Sequence, residues 1–423
     1  MAVVSAALAA VLIVVTLLGA PLFAVIGAGA LIGFEREGTD LSVVAIEFFG
    51  LSETPVLVAI PLFTFAGFLL SAGHAPARLV RLSQALLGWL PGGLAMISLV
   101  ACAIFTAFTG ASGVTIIALG ALLFPALKQV GYDERFNLGL ITASGSLGLL
   151  FAPSLPLILY GIVAEQSIDD LFKAGLLPGI LMIVVLAGYC YWRNRRLRYV
   201  MSTGSWAEAR AALWAARWDL PLPIVVLGGI YGGFFAVSEA AAVTALYVVI
   251  IELVVLKEVP WSQVPRIMRE SMVLVGAILA ILGVSLASTN LMIDTGVPQR
   301  LFALVSEHIT GPTTFLIALL IFLLILGTIL DIFSATVLVV PLLLPIAAQY
   351  GIDPIHLGIV FLAAMELGYL TPPVGLNLFI ASHRFNKDIT EIYWATQPFL
   401  LVSLLAVIII TFWPQLSLML LNR

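Results

Sequence analysis

Long apolar runs separated by short polar connections dominate the chain, and their lengths predict membrane-spanning helices. An α-helix needs about 20 predominantly apolar residues to cross the hydrocarbon core of a bilayer. Residues 35–53 break this pattern and are predicted to form a polar connection with a half-apolar surface stretch. The predicted full spans are 3–19, 20–34, 54–72, 171–192, 220–237, 238–256, 271–292 and 393–417. The pattern indicates an all-α polytopic membrane protein.

Two apolar stretches, 91–127 and 312–349, are interrupted in the middle by small polar residues. The first interruption lies at Phe108–Gly113 and the second near Asp331–Ser334. The first stretch could be two full spans or a re-entrant hairpin whose tip stays in the membrane, and the flanking basic residues, which place both of its ends on one side, allow either. The glycine and serine break favours the hairpin.

Two further helices, 136–163 and 356–383, are predicted to be broken. The second contains Thr371–Gly375, where two adjacent prolines remove backbone donors and a glycine lets carbonyls turn outward. An unpaired backbone group in hydrocarbon costs several kcal/mol, so such a break persists only inside protein or beside a wet cavity. The break is therefore a candidate site.

The first broken helix repeats the second at one constant offset in residue number, without gaps. Proline, glutamine, glycine and aspartate recur at this offset, which is less easily explained by chance than recurring leucine. The matched pairs are Pro125 with Pro345, Gln129 with Gln349, Gly131 with Gly351, Asp133 with Asp353, Gly148 with Gly368 and Pro153 with Pro373. The chain is predicted to consist of two related halves.

The distribution of basic residues predicts on which side of the membrane each loop lies. Arg193–Arg198 is the strongest cytoplasmic signal, whereas residues 164–170 carry no lysine or arginine and are predicted outside. Corresponding loops then fall on opposite faces, which predicts inverted repeats, and both termini are predicted to be periplasmic. The predicted division has five parts: scaffold helices and arm (1–90), hairpin and broken helix (91–163), connecting span, connector and second scaffold (164–310), second hairpin and broken helix (311–385), and a last span (386–423).

Composition narrows the partners and the chemistry. Only 10% of the residues are charged and 62% are hydrophobic, against about 25% charged in soluble domains. The net charge of −4 is too small to indicate a nucleic-acid partner. The two cysteines lie inside apolar runs and indicate neither a disulfide framework nor a metal site. The four histidines are assigned to surface connections, so no transition-metal site is expected.

Inverted repeats with discontinuous helices are typical of secondary transporters, which bind substrate and coupling ion where the broken helices meet the hairpin tips. Half-helix N-termini suit an anion, and unwound carbonyls with hydroxyls suit a cation. The alternative for any single serine or glycine is close helix packing. The predicted cation-binding residues are Thr109, Gly110, Ser112, Thr115, Gly145, Ser146, Gly148, Gly327, Asp331, Ser334, Thr336, Glu366, Gly368 and Thr371. The predicted substrate-binding residues are Pro153, Ser154, Pro372, Pro373, Gly375 and Asn377.

Asp331 and Glu366 are the acids deepest in apolar surroundings. An ionisable group at such a place is costly and suggests a cation ligand or a proton carrier. The alternative is a neutral or hydrogen-bonded structural acid. Glu239 lies at a predicted external turn, where it could simply be solvated.

Several motifs resemble the large membrane subunit of TRAP transporters, the tripartite ATP-independent periplasmic family, and the likeness runs almost the whole length. They are Gly131–Asp133, Gly145–Gly148, Pro153–Pro156, Leu171–Gly179, Gly228–Phe234, Gly351–Pro354 and Thr371–Phe379. The chain departs from the family at Ala152-Pro153, where a double proline is usual, at Ala236–Ala240, at the first hairpin tip, and at Glu366, where an apolar residue is more usual.

The resemblance implies an elevator-type carrier, in which a transport domain slides against a scaffold. It also implies coupling to sodium with no other cofactor, a small four-helix membrane subunit as a separate chain, a periplasmic binding protein that delivers a small organic acid, and a location in the bacterial inner membrane. A carrier similar to the divalent-anion sodium symporters, needing no binding protein, is the alternative. An intramembrane enzyme is disfavoured because no nucleophile, paired-aspartate or metal constellation is evident.

Overall fold

The computed structural model describes residues 11, 12, 14–16, 18–87, 93–195 and 206–421, and all regular structure among them is helical. A 3₁₀ turn at Leu147–Leu150 and a π-helical segment at Ile250–Val255 interrupt or extend the α-helices. In chain order the α-helices are α1 Leu22–Glu37, α2 Ser42–Gly50, α3 Ala59–Ala72, α4 Ala75–Leu87, α5 Gly93–Thr109, α6 Ser112–Val130, α7 Glu134–Ser144, α8 Leu155–Val163, α9 Ile168–Asn194, α10 Trp206–Ala215, α11 Pro221–Tyr231, α12 Val237–Val249, α13 Val264–Asp294, α14 Val297–Ser306, α15 Pro312–Gly327, α16 Ile332–Gln349, α17 Pro354–Gly368, α18 Leu376–Phe385, α19 Ile389–Phe412 and α20 Gln415–Leu418.

Seven stretches of the described chain are long and apolar enough to cross a membrane by length and composition. An eighth, in which α7 with its 3₁₀ turn bends by 44° into α8, meets the same criterion as one broken span. The prediction of an all-α polytopic membrane protein is confirmed.

Some predicted bounds are wrong. The predicted span 220–237 yields only the eleven residues of α11, because a glycine pair that includes Gly233 at φ +72° ends the helix. Residues 35–53, predicted as a polar connection with a half-apolar surface stretch, contain the nine-residue helix α2, which the prediction did not specify. The predicted first span lies largely outside the described residues.

Two pairs of corresponding helices begin at matched positions in the two halves. Helices α6 and α16 begin at positions related by the offset found in the sequence, and so do α7 and α17. Gly131 and Gly351 both adopt the left-handed conformation, at φ +94° and +71°, that ends a helix and that non-glycine residues rarely adopt. The aspartates two residues later cap α7 and α17 through backbone amides. The offset is therefore a repeat of local structure.

The halves also exchange partners. Helix α8 packs on α16 of the other half, and α18 packs reciprocally on α6. Likewise α9 packs on α17, and α7 packs on α19. Two copies related by a two-fold axis produce this reciprocal pattern, which confirms the predicted pair of inverted repeats with hairpins and broken helices.

The described helices fall into two groups. In the first group, which we call the scaffold, α13 packs on α1, α2 and α3, and α12 packs on α3. The second group contains the hairpins α5–α6 and α15–α16 with the broken helices. The amphipathic helices α4 and α14, which we call the arms, each link a scaffold helix to a hairpin. Contacts of α3 with α5, and of α13 with α16, join the groups.

Candidate functional site

A cavity of about 390 Å³ lies between the two hairpin tips. Both broken helices reach it, through Leu149 on one side and through Tyr369 and Leu376 on the other. The scaffold closes it with Phe68 of α3 and Leu274 of α13. Its remaining lining residues are Gly110, Ala111, Ser112, Gly113, Val114, Ile117, Asp331, Ile332, Phe333 and Ile380. The cavity thus lies at the junction of every element that the sequence singled out.

The first hairpin tip presents a free helix N-terminus to this cavity. Gly110 turns the chain at φ +64°, and an added Cβ there would lie 2.4 Å from Leu155, so the tip can close only with glycine. Helix α6 follows with Ala111 at its N-cap, and no described side chain caps it. The first amides of α6 therefore lack side-chain partners, and they carry the partial positive charge of the helix terminus.

The second tip is built differently. Asp331 occupies the N-cap of α16 and accepts hydrogen bonds from the amides of Phe333 and Ser334, both at 3.0 Å. The Ser334 hydroxyl also donates to this carboxylate, and the amide of Ile332 donates to the Tyr369 hydroxyl at 2.5 Å. The positive end of α16 is thus already occupied by a carboxylate of the chain itself.

A buried hydroxyl cluster lies behind the first tip. The Thr106 and Thr115 hydroxyl oxygens are 2.7 Å apart, and the Thr106 hydroxyl lies 2.8 Å from the Gly145 carbonyl oxygen. Both threonines are fully buried. Thr115 and Gly145 were predicted from the sequence, whereas Thr106, one helical turn before the predicted tip, was not. Three hard oxygens converge here from the hairpin and the broken helix.

Three of the predicted cation-binding glycines make close backbone contacts instead of lining the cavity. A Cβ on Gly148 would lie 2.3 Å from the Ala103 carbonyl oxygen and 2.5 Å from the Ala107 nitrogen. In the second half, a Cβ on Gly368 would lie 2.4 Å from the Gly327 Cα. Since Ala107 and Gly327 themselves stand at matching repeat positions, each half uses the same close approach between hairpin and broken helix.

The remaining predicted cation-binding residues are dispersed. Gly110, Ser112 and Asp331 are the three that line the cavity. Thr109 lines a separate apolar cavity of about 200 Å³, and its hydroxyl has no hydrogen-bond partner among the described residues. Thr336 donates to a carbonyl one turn earlier in α16, and Thr371, in the break beyond α17, donates to the Leu367 carbonyl. The last of the set, Ser146, is buried in the first break.

The six predicted substrate-binding residues lie outside the lining of the cavity. Pro153 and Ser154 are buried in the first break, and the Ser154 hydroxyl donates to the Leu149 carbonyl. Pro372 and Pro373 are exposed, and Gly375 adopts φ +54° at the start of α18. Asn377 is fully buried and donates to the Thr142 carbonyl oxygen at 3.4 Å, which joins the second broken helix to the first.

Glu366 is 1% exposed, and neither of its carboxylate oxygens has a hydrogen-bond partner within the described part of the chain. It occupies the repeat position that Ser146 occupies in the first half. Glu239, by contrast, is exposed and accepts a hydrogen bond from the Ala236 amide at the start of α12, so it caps that helix.

The assignment of all histidines to surface connections is wrong for His356. It lies in the first turn of α17, is 1% exposed, and contacts the Ser417 hydroxyl at 3.3 Å and the Thr411 carbonyl oxygen at 3.2 Å. These contacts hold the C-terminal turn against α17. The sequence around His356 does not indicate these contacts, because Thr411 and Ser417 lie more than 50 positions later in the chain.

Comparison with known proteins identifies the architecture. The family described as the tripartite ATP-independent periplasmic transporter, DctM component, matches residues 7–416. The chain belongs to this family. The C4-dicarboxylate TRAP transporter large permease protein DctM of Pseudomonas aeruginosa is similar to it, with 35% identity over 383 residues, which cover 89% of each protein.

A longer member of the family and a solved structure complete the comparison. The isethionate TRAP transporter permease protein DctMQ of Oleidesulfovibrio alaskensis is 33% identical over 415 residues, which cover 94% of this chain and 63% of that protein. The crystal structure of the Alcanivorax borkumensis YdaH transporter shares the fold at a TM-score of 0.59 and 15% identity, covering 90% of this chain and 89% of that one. This DctM-family chain is thus a multi-pass transporter subunit.

Proposed function

We propose that this chain is the large permease subunit of a TRAP transporter in the bacterial inner membrane, and that it takes up a small organic anion at the expense of a sodium gradient. The observation that carries the proposal is the cavity between the hairpin tips, with a free helix N-terminus on one side and a carboxylate on the other. Secondary transporters with inverted repeats bind substrate and ion at such a place.

The anion is proposed to bind at the start of α6. Ser112, Gly113 and Val114 line the cavity there, and the helix has no side-chain cap. A helix N-terminus with free amides favours a carboxylate through hydrogen bonds and through its partial charge. The start of α16 is a poorer place for an anion because Asp331 already accepts from its amides.

Sodium is proposed to bind where oxygens converge. Asp331 supplies a carboxylate beside the cavity, and the Thr106, Thr115 and Gly145 oxygens form a second group in the first half. Unwound carbonyls, hydroxyls and carboxylates are the ligands that such transporters offer to sodium. Glu366 could supply a further charge, since a buried intramembrane acid suggests an ion or proton role.

Movement is proposed to follow the elevator scheme, with the hairpins and broken helices sliding against the scaffold. Support comes from the two groups of helices and the arms that link them. Phe68 and Leu274 of the scaffold complete the cavity wall, so sliding would change the wall and the access to the bound anion. The proposed transporter also includes a periplasmic binding protein, which delivers the substrate, and a small four-helix membrane subunit, which docks on this chain.

Uptake by proteoliposomes tests the proposal. The chain is reconstituted with the small subunit and binding protein encoded with it, and accumulation of a C4-dicarboxylate panel is compared under inward sodium and potassium gradients. Sodium-dependent uptake that needs the binding protein is expected. Uptake without the binding protein would support the simpler symporter instead, and uptake indifferent to sodium would refute the coupling.

A binding measurement separates the ion from the substrate. The melting temperature of the purified protein is recorded in sodium and in potassium at equal ionic strength. A ligand bound only by the folded state raises stability by RT ln(1 + [L]/Kd), which amounts to a few degrees at saturating sodium. A sodium-specific rise that Asp331→Asn removes is expected. A pH effect that Glu366→Gln removes, without any sodium effect, would indicate proton coupling.

A further inference from the structure

A second charged site lies outside the lining of the transport cavity, where the first arm leaves the scaffold. Arg78 of α4 pairs with Asp219 through two contacts, Nε to Oδ2 at 2.6 Å and Nη2 to Oδ1 at 3.0 Å. The same guanidinium contacts Glu258, and its Nη2 lies 3.4 Å from the Glu252 Oε1. One positive charge thus faces three carboxyl groups: Asp219 before α11, Glu252 inside the π-helical segment and Glu258 after it.

Glu252 is the unusual member of this group. Its side chain is fully buried, and its Oε2 has no hydrogen-bond partner within the described residues. A Cβ on Gly73 would lie 2.3 Å from this oxygen, so the carboxyl group is pressed against the backbone at the end of α3. Arg78 contacts Glu252, Glu258 and Asp219 together, so one cation faces three carboxyl groups in a buried setting, and a proton on one of them lowers the excess negative charge.

The surrounding charges decide where that proton lies. Hydrogen bonds from Arg78 and from the His74 amide outweigh the effect of burial and lower the pKa of Glu258. Asp219 holds the bidentate contact to Arg78, although burial raises its pKa. The titratable and charged groups that face Glu252 in the described chain are these two acids and Arg78, with the exposed His74 beyond Glu258 at 3.4 Å. A buried carboxylate without a pairing cation of its own is neutralised instead.

We propose that the pair formed by Glu252 and Glu258 holds one bound proton, on the buried Glu252 beside Arg78, and that this proton-binding site tethers the first arm to the scaffold. With the proton, Arg78 faces two carboxylates in a buried setting, which leaves one excess negative charge. Without it, a third negative charge enters the same space and repels the other two. Loss of the proton therefore weakens the joint at Gly73 and His74, where α3 ends and the arm begins.

The second half supports a dedicated role for this site. Arg300 of the second arm stands in a motif that matches the one around Arg78, with Pro298–Leu301 matching Pro76–Leu79. Arg300 is exposed and makes no ion pair with any residue that the structure covers. The cluster around Arg78 is thus a feature of one arm and not a consequence of the repeat. It also lies outside the anion and sodium sites proposed above, and does not depend on them.

Melting temperature against pH tests the bound proton. A group that is protonated in the folded chain and ionised in the unfolded chain makes stability fall as pH rises. Glu252→Gln keeps the shape and removes the titration, so its melting temperature should equal the wild type at about pH 5 and exceed it by at least about 3 °C at about pH 9. The control Glu208→Gln breaks an exposed 2.9 Å pair with Arg81 on the same arm and should run parallel to the wild type.

Parallel curves for Glu252→Gln and the wild type would overturn the proposal. If Glu252→Gln does not fold, Glu258→Gln removes the other member of the pair at a less buried position and should show the same divergence with pH. The tether has its own readout, the distance between spin labels at Gln84 and Ser262. It should lengthen or broaden at alkaline pH in the wild type and stay constant in Glu252→Gln; a constant distance in the wild type would refute the tether.

Discussion

The breaks in the two broken helices have the same order of local backbone features but differ in solvent exposure. Each follows a capping aspartate and a helix, passes a glycine that touches the facing hairpin, and ends in a proline before the second helix. Yet residues 152–155 of the first break are buried, whereas residues 372–374 of the second are exposed, with Val374 at 42%. Contacts of the 3₁₀ turn with α5, α9 and α17 cover the first break.

The chemistry of the two halves differs just as clearly. Where the second half has Asp331, the first has Ala111, and where the second has Glu366, the first has Ser146. The first half thus offers hydroxyls, carbonyls and a free helix N-terminus, while the second offers carboxylates. The halves share their backbone geometry, and substitutions at matched positions give each half a different set of polar groups, on which the proposed division between an anion site and a cation site rests.

The largest expected effect is loss of the charge at the second tip. Asp331→Asn should abolish uptake while leaving the fold intact, because asparagine caps helices as well as aspartate. Asp331→Ala should abolish uptake and also cost about 0.5–2 kcal/mol of stability. Proteoliposome uptake and thermal melting measure both. Asp353→Asn, at the N-cap of α17, is the matched control and should transport normally; normal transport by Asp331→Asn would contradict the assignment.

Giving the first tip the acid of the second is expected to have the next largest effect. Ala111→Asp would cap α6, which should raise its stability by about 1 kcal/mol. The new carboxylate would occupy the amides proposed for the substrate, so uptake should fall at least about tenfold, the equivalent of about 1.4 kcal/mol of binding. Ala111→Gly leaves those amides free and serves as the control. Unchanged uptake by Ala111→Asp would place the anion elsewhere.

The shared glycine contacts should give smaller and equal effects in both halves. Gly148→Ala and Gly368→Ala each push a methyl group into facing backbone and should each cost about 1–3 kcal/mol of stability. Gly228→Ala, with no atom within 4 Å of the added Cβ, should be neutral or slightly stabilising. Melting temperatures compare the three. If one repeat glycine tolerates alanine as well as Gly228 does, the close approach is not common to both halves.

The smallest expected effect on the protein comes from single cysteine substitutions that compare the solvent exposure of the two breaks. Ser154→Cys and Val374→Cys stand at matched repeat positions, one fully buried and one exposed. A water-soluble maleimide should label the second far faster than the first, and the native cysteines, both buried, should add little background. Equal labelling rates would contradict the difference in solvent exposure between the two breaks.

The two repeats and the positions of the helix breaks could be predicted from the sequence. The constant offset between matched prolines, glycines and aspartates predicted the two halves, and the structure places the first turn at Gly110, inside the predicted interval Phe108–Gly113. Proline and glycine fix such places because they act on the backbone of their own neighbours. Asp331 was recognisable because a carboxylate inside a long apolar stretch is rare.

Other residues were beyond the reach of local patterns. Phe68 and Leu274 are ordinary apolar residues in their own helices, and only the packing of α3 and α13 brings them to the cavity. Thr106 became relevant through the Gly145 carbonyl, 39 positions away. The partners of His356 and Arg78 likewise come from distant segments.

The sequence by itself determined the membrane class, the duplication and the location of the breaks, because apolar run length, residue recurrence and proline or glycine content act locally along the chain. The tertiary structure alone decided which break is buried, which scaffold residues line the cavity, and which arm is held by ion pairs. These features depend on contacts between segments far apart in sequence, where a change in packing, and not in residue type, sets exposure and charge pairing.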